Sequence, residues 1–453
     1  MSDRKRVCII GAGPCGMAAL RNFSQSALDV RPEVVCYEKQ NTWGGLWNFT
    51  WLTGTDEYGE PCHGGQYKHL WSNGPKECLE FPDYTFDDHF RCPIPSFPPR
   101  AVLREYLEGR WTNGDDDLRK YIKFNTVVRN VVYNDASQNF TVVSTDLKAG
   151  VSSTEVFSHV IVAVGIFNVP NKPHFDGIDT FEGRIMHSHD FRDAKEFKGQ
   201  RVLVVGASYS AEDLAMQCLK FGAKSAICTW RTKPMGFKWP KGIEERPLLL
   251  RLDSNTAYFK DGSSAKVDAI LLCTGYRYAF PFLEDRLRLQ SGLTMYPDDL
   301  YKATLWLRSG GGRLFYMGLQ DQYFSYTMFE TEAIWTCRYI MGTIPGEPKS
   351  QAEMRADAEN WVARRKELKG PHDDIDFQAD FIADLSAAVG YKPEAKKVAD
   401  MFHKWEHDKD ADIVSYRDQS FQSVFTGTVA PTLKSTWWRA FDDSKEAFVK
   451  NSE

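Results

Sequence analysis

The stretch that decides the fold is RVCIIGAGPCG, residues 6–16, close to the start of the chain. Residues 6–10 form an apolar run typical of a β-strand, and residues 14–24 carry the apolar spacing of a helix. Residues 33–38, EVVCYE, favour a second strand. Strand, glycine turn, helix and strand in this order predict the opening of a β-α-β unit.

The glycines of the turn between strand and helix fit a dinucleotide site. Gly11 permits the tight turn, Gly13 lets the backbone approach a pyrophosphate, and Gly16 allows the helix to pack closely on the strand. The helix then offers free N–H groups and the positive end of its dipole to the phosphates. Glu38, at the end of the second strand, can accept hydrogen bonds from both ribose hydroxyls. The alternative is a tight turn with an incidental glutamate.

The same pattern returns in the middle of the chain. RVLVV at 201–205 is followed by the loop GASYSA at 206–211, which again begins with a glycine. A helical pattern over about 210–221 and a strand pattern at 225–231 come next. A second nucleotide-binding unit is therefore predicted.

Side chains around this second loop favour NADPH over NADH. Gly206 keeps the turn, and the hydroxyls of Ser208 and Ser210 can donate to phosphate. Arg231, followed by Thr232, ends the strand after the loop, where the first unit has its acidic residue. Arginine can bind a ribose 2′-phosphate that a carboxylate would repel. The alternative is a solvated arginine on a degenerate repeat that binds nothing.

Two dinucleotides in one chain imply hydride transfer from NADPH to a flavin, so we assign FAD to the first loop. Apolar strands that end in glycine, at 159–165 and 268–275, fit as the closing strands of the two units. We predict an α/β fold of two dinucleotide-binding, Rossmann-like domains, with the NADPH domain inserted into the FAD domain. The NADPH domain is expected at residues 169–278, and the FAD domain with its C-terminal tail at residues 1–168 and 279–453.

Composition narrows the chemistry. The chain has 453 residues and a net charge of −5, which gives no sign of nucleic-acid or membrane binding. Its 10 cysteines form no C-x-x-C pair and no zinc-type cluster, so we expect a reduced, cytoplasmic protein without disulfides or bound metal. The N-terminus enters a strand almost at once, which leaves no room for a signal peptide. Without paired cysteines for a dithiol reductase, oxygen is the natural acceptor for a reduced flavin.

A further motif matches a known family. FEGRIMHSHDF, residues 181–191, fits F-x-G-x-x-x-H-x-x-x-[FY], the identifying motif of flavin-containing monooxygenases. The sequence also resembles that family at EKQ (38–40), WGGLW (43–47) and CTGY (273–276), and the resemblance runs from end to end. It is most similar to the bacterial branch that includes trimethylamine monooxygenase, through LWSNGPKE (70–77), ASYSAED (207–213), QDQ (320–322), YRD (416–418) and TGT (426–428).

The resemblance implies a mechanism. NADPH reduces FAD, NADP⁺ stays bound, and O₂ adds to the flavin C4a carbon to give a hydroperoxide. A soft nucleophile then attacks the distal oxygen, and this can be a tertiary amine such as trimethylamine, a sulfide or an indole-like ring. The protein must exclude water, which promotes loss of peroxide. The partners implied are the small-molecule substrate and a second copy of the chain in a homodimer.

Two residues are implied as catalytic. Asn73 matches the residue whose amide contacts both cofactors, although Ser-Asn-Gly-Pro is also a turn sequence. Tyr209 matches a residue that packs near the nicotinamide and gates the cavity, although by chemistry alone a surface tyrosine explains it equally well. Trp405 and Arg417 match tail residues that cover NADP, although the helical pattern around Trp405 by itself favours a core residue. His187 is expected to be structural. By the same resemblance, the other cofactor-contacting positions are Cys15, Gln40, Leu46, Trp47, His63, Ser72, Val128, Gln322 and Ser325.

Departures from the branch leave rival functions open. Gln66 and Tyr323 stand where the branch usually has Met and Trp, which puts trimethylamine itself in question. A Baeyer–Villiger monooxygenase would carry Trp-Pro or Trp-Asp where this chain has Phe191 and Arg192. An NADPH oxidase or redox sensor that only makes peroxide is compatible with the motifs, and so is a nucleotide-binding scaffold without catalysis.

Overall fold

A computed structural model describes residues 4–321 and 323–452. Its strands are β1 (Arg6–Ile10), β2 (Glu33–Tyr37), β3 (Ile122–Lys123), β4 (Thr126–Asn134), β5 (Asn139–Asp146), β6 (Val151–Phe157), β7 (His159–Val162), β8 (Val169–Pro170), β9 (Arg184–His187), β10 (Arg201–Val205), β11 (Ser225–Thr229), β12 (Ile243–Arg246), β13 (Leu249–Asp253), β14 (Thr256–Phe259), β15 (Ser264–Lys266), β16 (Ala269–Leu272), β17 (Tyr276–Arg277), β18 (Leu300–Tyr301), β19 (Leu305–Trp306) and β20 (Leu314–Tyr316). Its α-helices are α1 (Pro14–Ser24), α2 (Phe86–Phe90), α3 (Arg100–Thr112), α4 (Tyr209–Lys220), α5 (Ser325–Met341), α6 (Gln351–Lys366), α7 (Pro371–Val389), α8 (Ala395–Ala411) and α9 (Lys445–Lys450).

The first sheet has seven strands in the order β18-β19-β20-β7-β1-β2-β3. Its centre is parallel, with β1 between β2 and β7, and β20 on the far side of β7. The sequence pattern correctly locates β1 and α1, but β7 ends at Val162 rather than at residue 165. Val162 pairs with Ile10 and Tyr316, the last residues of β1 and β20, so the strand ends where both of its neighbours end.

The second sheet has five parallel strands in the order β12-β11-β10-β16-β9. β11 ends at Thr229 rather than at residue 231, because its partners Val205 and Arg246 are the last residues of β10 and β12. Two residues beyond that edge, Arg231 is exposed. This is the carboxyl end of a parallel sheet, where ligands of such folds bind.

The two sheets are joined by a pair of short crossing strands. β8 and β17 pair antiparallel, and the Asn171 N–H donates to the carbonyl of Gly275 at 2.9 Å. All five strands of the second sheet lie between β8 and β17 in sequence. The second Rossmann-like domain is therefore inserted into the first, as predicted, while the residue boundaries given above stay a prediction.

Helices and an irregular tail complete the molecule. α5 packs against α1 and α7, and α8 packs on α7. Residues 412–431 follow as mostly irregular chain in which Tyr416, Arg417 and Phe421 are buried. No helix within the described residues combines the length and apolar character needed to cross a bilayer.

Candidate active site

The first glycine loop has a backbone shape that only glycine fits. Gly11 has a φ of +103°, and a Cβ there would lie 2.5 Å from the carbonyl oxygen of Ala163. A Cβ on Gly16 would lie 1.9 Å from the carbonyl oxygen of Gly11. Gly13 precedes α1 without a side-chain cap, so no capping side chain occupies the first N–H groups of the helix. These features fit a pyrophosphate at the start of α1.

Glu38 is held beside this loop in the place expected for a ribose-binding carboxylate. Its Oε2 accepts from the Ala12 N–H at 2.7 Å, and its Oε1 accepts from the Gln40 N–H at 2.8 Å. Burial raises the pKa of Glu38, and these two backbone donors act in the opposite direction. The carboxylate is therefore fixed at the carboxyl end of β2, next to the turn of the loop.

A separate segment, residues 44–48, lies against the first glycine loop. The Gly44 N–H donates to the carbonyl of Ala12 at 2.8 Å, and a short 3₁₀ helix, Gly45–Trp47, follows. The ring of Trp47 packs edge-on against Tyr326 of α5. Gln40, Leu46, Trp47 and His63 are all half-buried around this loop.

The remaining side chains of this loop tie it together. Asn48 donates from Nδ2 to Gln40 Oε1 at 3.2 Å, and its carbonyl lies 2.5 Å from His63 Nε2. Burial lowers the pKa of His63, which favours the neutral ring. Val128 is different, because it lies in β4, buried in a cluster that packs on the other face of the first sheet.

The strand β20 brings a third segment to the same place. A Cβ on Gly318 would lie 2.3 Å from Cys15 Sγ, so the chain after β20 crosses directly over the start of α1. Ser325 begins α5, and its N-terminus also has no side-chain cap. Two uncapped helix starts thus face this region, while Gln322 lies outside the described residues.

A buried carboxyl group supports this third segment. Glu332 of α5 accepts from the Gly318 N–H at 2.8 Å and from the Gln320 side chain. Its side chain is fully buried, and burial raises its pKa to about 8. Glu332 was not singled out in the sequence, because its partners are contributed by a separate strand and loop.

The second glycine loop repeats the geometry of the first. Gly206 has a φ of +141°, and a Cβ there would lie 2.2 Å from the carbonyl oxygen of Cys273. Ser208 precedes α4 without capping it, and Ser208 and Ser210 are both exposed at the helix start. Arg231 and Thr232 are exposed beyond β11. The uncapped N–H groups at the start of α4 and the exposed guanidinium of Arg231 lie at one edge of the sheet. Together they fit a nucleotide that carries a 2′-phosphate.

Asn73 lies on a loop fixed from several sides. The Ser72 N–H donates to the carbonyl of Pro98 at 2.8 Å, and Arg417 Nε donates to the carbonyl of Ser72 at 3.0 Å. Arg417 is buried and pairs with Asp213 of α4 at 2.8 Å. The side chain of Asn73 is exposed. The tail therefore connects the Asn73 loop to the helix of the second glycine loop.

Tyr209 belongs to an aromatic group at the junction of the two domains. Its ring centroid lies 6.1 Å from that of Trp405 on α8 and 6.3 Å from that of Tyr323. Its hydroxyl donates to Glu406 Oε1 at 3.2 Å. Trp405 is buried, and its indole nitrogen has no hydrogen-bond partner among the described residues, which fits a polar group of a bound nucleotide. Glu406 had no signal in the sequence.

His187 bonds to backbone close to the point where the chain leaves the inserted domain. Its Nε2 lies 3.1 Å from the carbonyl oxygen of Gly275, and its Nδ1 accepts from the His189 N–H at 3.1 Å. Burial lowers the pKa of His187 to about 4. The ring is therefore neutral near pH 7 and donates to the backbone carbonyl just before β17.

Two Rossmann-like domains, each with a glycine loop after its first central strand, are the arrangement expected of an oxidoreductase that passes hydride from a nicotinamide nucleotide to a flavin. Within this class, residues 4–235 and 242–403 match the model of the flavin-binding monooxygenase-like family. The chain belongs to that family. It is a flavin-containing monooxygenase that uses FAD, NADPH and O₂.

Relatives match over nearly the whole chain. A trimethylamine monooxygenase of Methylocella silvestris is 50% identical and covers 99% of both chains. A trimethylamine monooxygenase of Pelagibacter ubique is 47% identical over 98% of this chain and 99% of its own length. The crystal structure of Tmm from Pelagibacter sp. strain HTCC7211 is 45% identical, covers 98% of this chain and 100% of its own, and superposes with a TM-score of 0.94.

Proposed function

We propose that the protein oxygenates trimethylamine at nitrogen with NADPH and O₂. The observation that carries this proposal is the identity of 50% with a relative of that name over 99% of both chains. The rings of Tyr209, Tyr323 and Trp405 support it, because aromatic faces attract methylated ammonium groups. Tyr323 keeps an aromatic ring where the bacterial branch usually has tryptophan, so this departure does not argue against the amine.

We assign FAD to the first glycine loop. Gly11, Gly13 and Gly16 would admit its pyrophosphate, and Glu38 would bind its ribose. When bound, FAD takes hydride from NADPH and passes electrons to O₂, so that one oxygen atom reaches the substrate. By the resemblance to the family, the further residues proposed to contact FAD are Cys15, Gln40, Leu46, Trp47, His63, Ser72, Val128, Gln322 and Ser325.

We assign NADPH to the second glycine loop, residues 206–211, between the start of α4 and Arg231. Gly206, Ser208 and Ser210 would bind the pyrophosphate, and Arg231 with Thr232 would bind the 2′-phosphate. Trp405 and Arg417 would cover the nucleotide and exclude water from it.

Asn73 and Tyr209 are the residues we place at the reacting atoms. An amide can donate and accept at once, so Asn73 can hold the nicotinamide and the flavin in register. The exposed side chain of Asn73 on an otherwise fixed loop supports this role. Tyr209 would close the cavity from the side of α4.

The direct test uses purified protein loaded with FAD. Trimethylamine should stimulate NADPH oxidation and yield trimethylamine N-oxide, with NADPH strongly preferred over NADH. Formation of an ester from cyclohexanone without any N-oxide would favour a Baeyer–Villiger enzyme. Hydrogen peroxide formation that no amine or sulfide suppresses would favour an oxidase or sensor. Either of these two results would overturn the proposal.

We also propose an oligomeric state and a cellular location for the protein. A homodimer is expected from the resemblance to the family, and a cytoplasmic location from the unpaired cysteines. Light scattering of the FAD-loaded protein measures its mass directly. The chain mass is 51.7 kDa, so a particle of twice that mass supports the dimer. A monomer at working concentration would contradict it.

A further inference from the structure

Four charged or polar side chains meet where α4 packs against α8. The hydroxyl of Tyr209 donates to Glu406 Oε1 at 3.2 Å. Lys409 Nζ lies 3.3 Å from Glu406 Oε2 and 3.7 Å from Glu212 Oε2. We call Tyr209, Glu212, Glu406 and Lys409 the relay cluster. Binding of a pyrophosphate by the glycine loop does not require these buried charges.

The relay cluster has two carboxyl groups and only one ammonium group, so it can take up one proton. Glu212, Glu406 and Lys409 are each no more than 5% exposed, so two carboxylates share one ammonium group away from water. Burial raises the pKa of Glu212 to about 7, and Lys409 opposes that rise. Glu212 Oε1 has no hydrogen-bond partner among the described residues. A proton that enters the cluster therefore relieves an excess of buried negative charge.

Tyr209 connects the relay cluster to the junction between the domains. It is half-buried, and it contacts Tyr323, which lies just before α5 in the FAD domain. Burial raises the pKa of Tyr209 well above its ordinary value, so the phenol stays neutral. It can nevertheless pass one proton on while it accepts another.

Other ionisable groups also act on Glu406. Tyr323, Asp374 of α7 and Tyr416 of the tail face it, in addition to the members of the relay cluster. Burial raises the pKa of Asp374 to about 6. Tyr323 and Tyr416 are phenols whose pKa values burial raises, so both are neutral near pH 7. Lys409 is therefore the one cation within ion-pair distance of Glu406 in the described chain.

The substrate class makes this cluster chemically useful. An aliphatic amine, like the lysine side chain, carries a proton near pH 7, and a protonated nitrogen has no lone pair with which to attack oxygen. A thioether has a free lone pair at any pH. An enzyme that oxygenates amines at nitrogen therefore benefits from a group that removes this proton inside the cavity.

We propose that Tyr209 and Glu406 form a proton relay that deprotonates the bound ammonium substrate. This proposal rests on the N-oxygenation proposed above. The N–H bond of the substrate breaks and its electron pair stays on nitrogen; the proton passes to the oxygen of Tyr209, whose own proton moves to Glu406. The ammonium group of Lys409 and the carboxyl group of Glu212 compensate for the change of charge at Glu406. Overall, trimethylammonium, NADPH and O₂ give the N-oxide, NADP⁺ and water, so the proton removed is the one that water formation consumes.

The test compares two substrates in Glu406→Gln, which keeps the shape of the side chain but cannot take the proton. We expect kcat/KM for trimethylamine to fall at least about tenfold near neutral pH and to recover as the pH rises towards about 9, where free amine becomes available. Oxygenation of dimethyl sulfide should change less than about twofold, because no proton has to be removed. The Kd of NADP⁺, measured from flavin absorbance, should stay the same.

Matched variants make the outcome decisive. Asp410→Asn changes an exposed carboxylate on the same helix and should leave both substrates unaffected. Tyr209→Phe, which also changes a residue placed at the reacting atoms, should slow the amine more than the sulfide, and it supplies the test if Glu406→Gln does not fold. Equal slowing of amine and sulfide, or an unchanged pH profile for the amine, would overturn the relay. A wild-type enzyme that oxygenates the sulfide but not trimethylamine would instead overturn the proposed function.

Discussion

Arg231 is the residue on which the choice of nicotinamide nucleotide depends. It is exposed beyond the end of β11, so its guanidinium is free to meet a 2′-phosphate. We expect Arg231→Ala to raise the KM for NADPH by roughly 10- to 100-fold, since a hydrogen bond to a charged group is worth about 1.5–3 kcal/mol. The KM for NADH should hardly change, because NADH lacks that phosphate.

Steady-state kinetics with both nucleotides check this expectation. Arg439→Ala, which removes an exposed arginine from the tail, is the matched control and should leave both KM values unchanged. A similar loss with NADPH and NADH would mean that Arg231 supports the loop rather than the phosphate. No loss with either would remove Arg231 from the site.

Individual residues were predictable from sequence where their chemistry depends on near neighbours. Gly11 and Glu38 follow from their positions around one turn, and the structure gives each the local geometry that the spacing predicts. Glu406 and Asp213 carry no such signal, because their partners are distant in sequence. The bond from Tyr209 to Glu406 spans 197 positions, and the bond from Arg417 to Asp213 spans 204.

At the scale of elements, the contact between α5 and the chain after β20 has a measurable pH dependence. Burial raises the pKa of Glu332 to about 8 in the folded protein, above its ordinary 4.5. Between these values the unfolded chain releases a proton that the folded protein keeps. The free energy of unfolding should therefore fall as the pH rises through this window, by about 1.4 kcal/mol per pH unit for this group.

Glu332→Gln should remove that slope, because glutamine is neutral throughout and can still accept from the Gly318 N–H. Thermal unfolding of the FAD-loaded protein at several pH values between about 5 and 8 measures the difference from wild type. Glu359→Gln, on the exposed face of α6, is the control and should keep the wild-type slope. An identical slope in Glu332→Gln would show that Glu332 is already ionised in the folded protein.

Element positions were more predictable than element ends. The apolar runs place β1, β10 and α1 correctly, because buried strands and amphipathic helices have distinct periods. β7 and β11 both stop earlier than their apolar runs, because a strand ends where its neighbours turn away. The end of a strand therefore depends on the neighbouring strands of the sheet and cannot be predicted from the strand's own residues.

At the scale of the whole molecule, the insertion of one domain into the other could be predicted, because each glycine loop has its own closing strand. The contacts by which the C-terminal tail joins the two domains could not be predicted from the sequence. Arg417 reaches the Asn73 loop and α4 together, and Lys220 of α4 donates to the carbonyls of Trp437 and Ala440, each at 2.7 Å. These contacts depend on the folded arrangement of both domains.

We propose that this whole assembly transfers one atom of O₂ to an amine nitrogen at the expense of NADPH. The most direct measurement supplies ¹⁸O₂ and trimethylamine to the FAD-loaded protein and follows the label by mass spectrometry while NADPH consumption is recorded. We expect one labelled N-oxide for each NADPH consumed, with little hydrogen peroxide. NADPH consumption that yields peroxide and no labelled N-oxide would contradict the account.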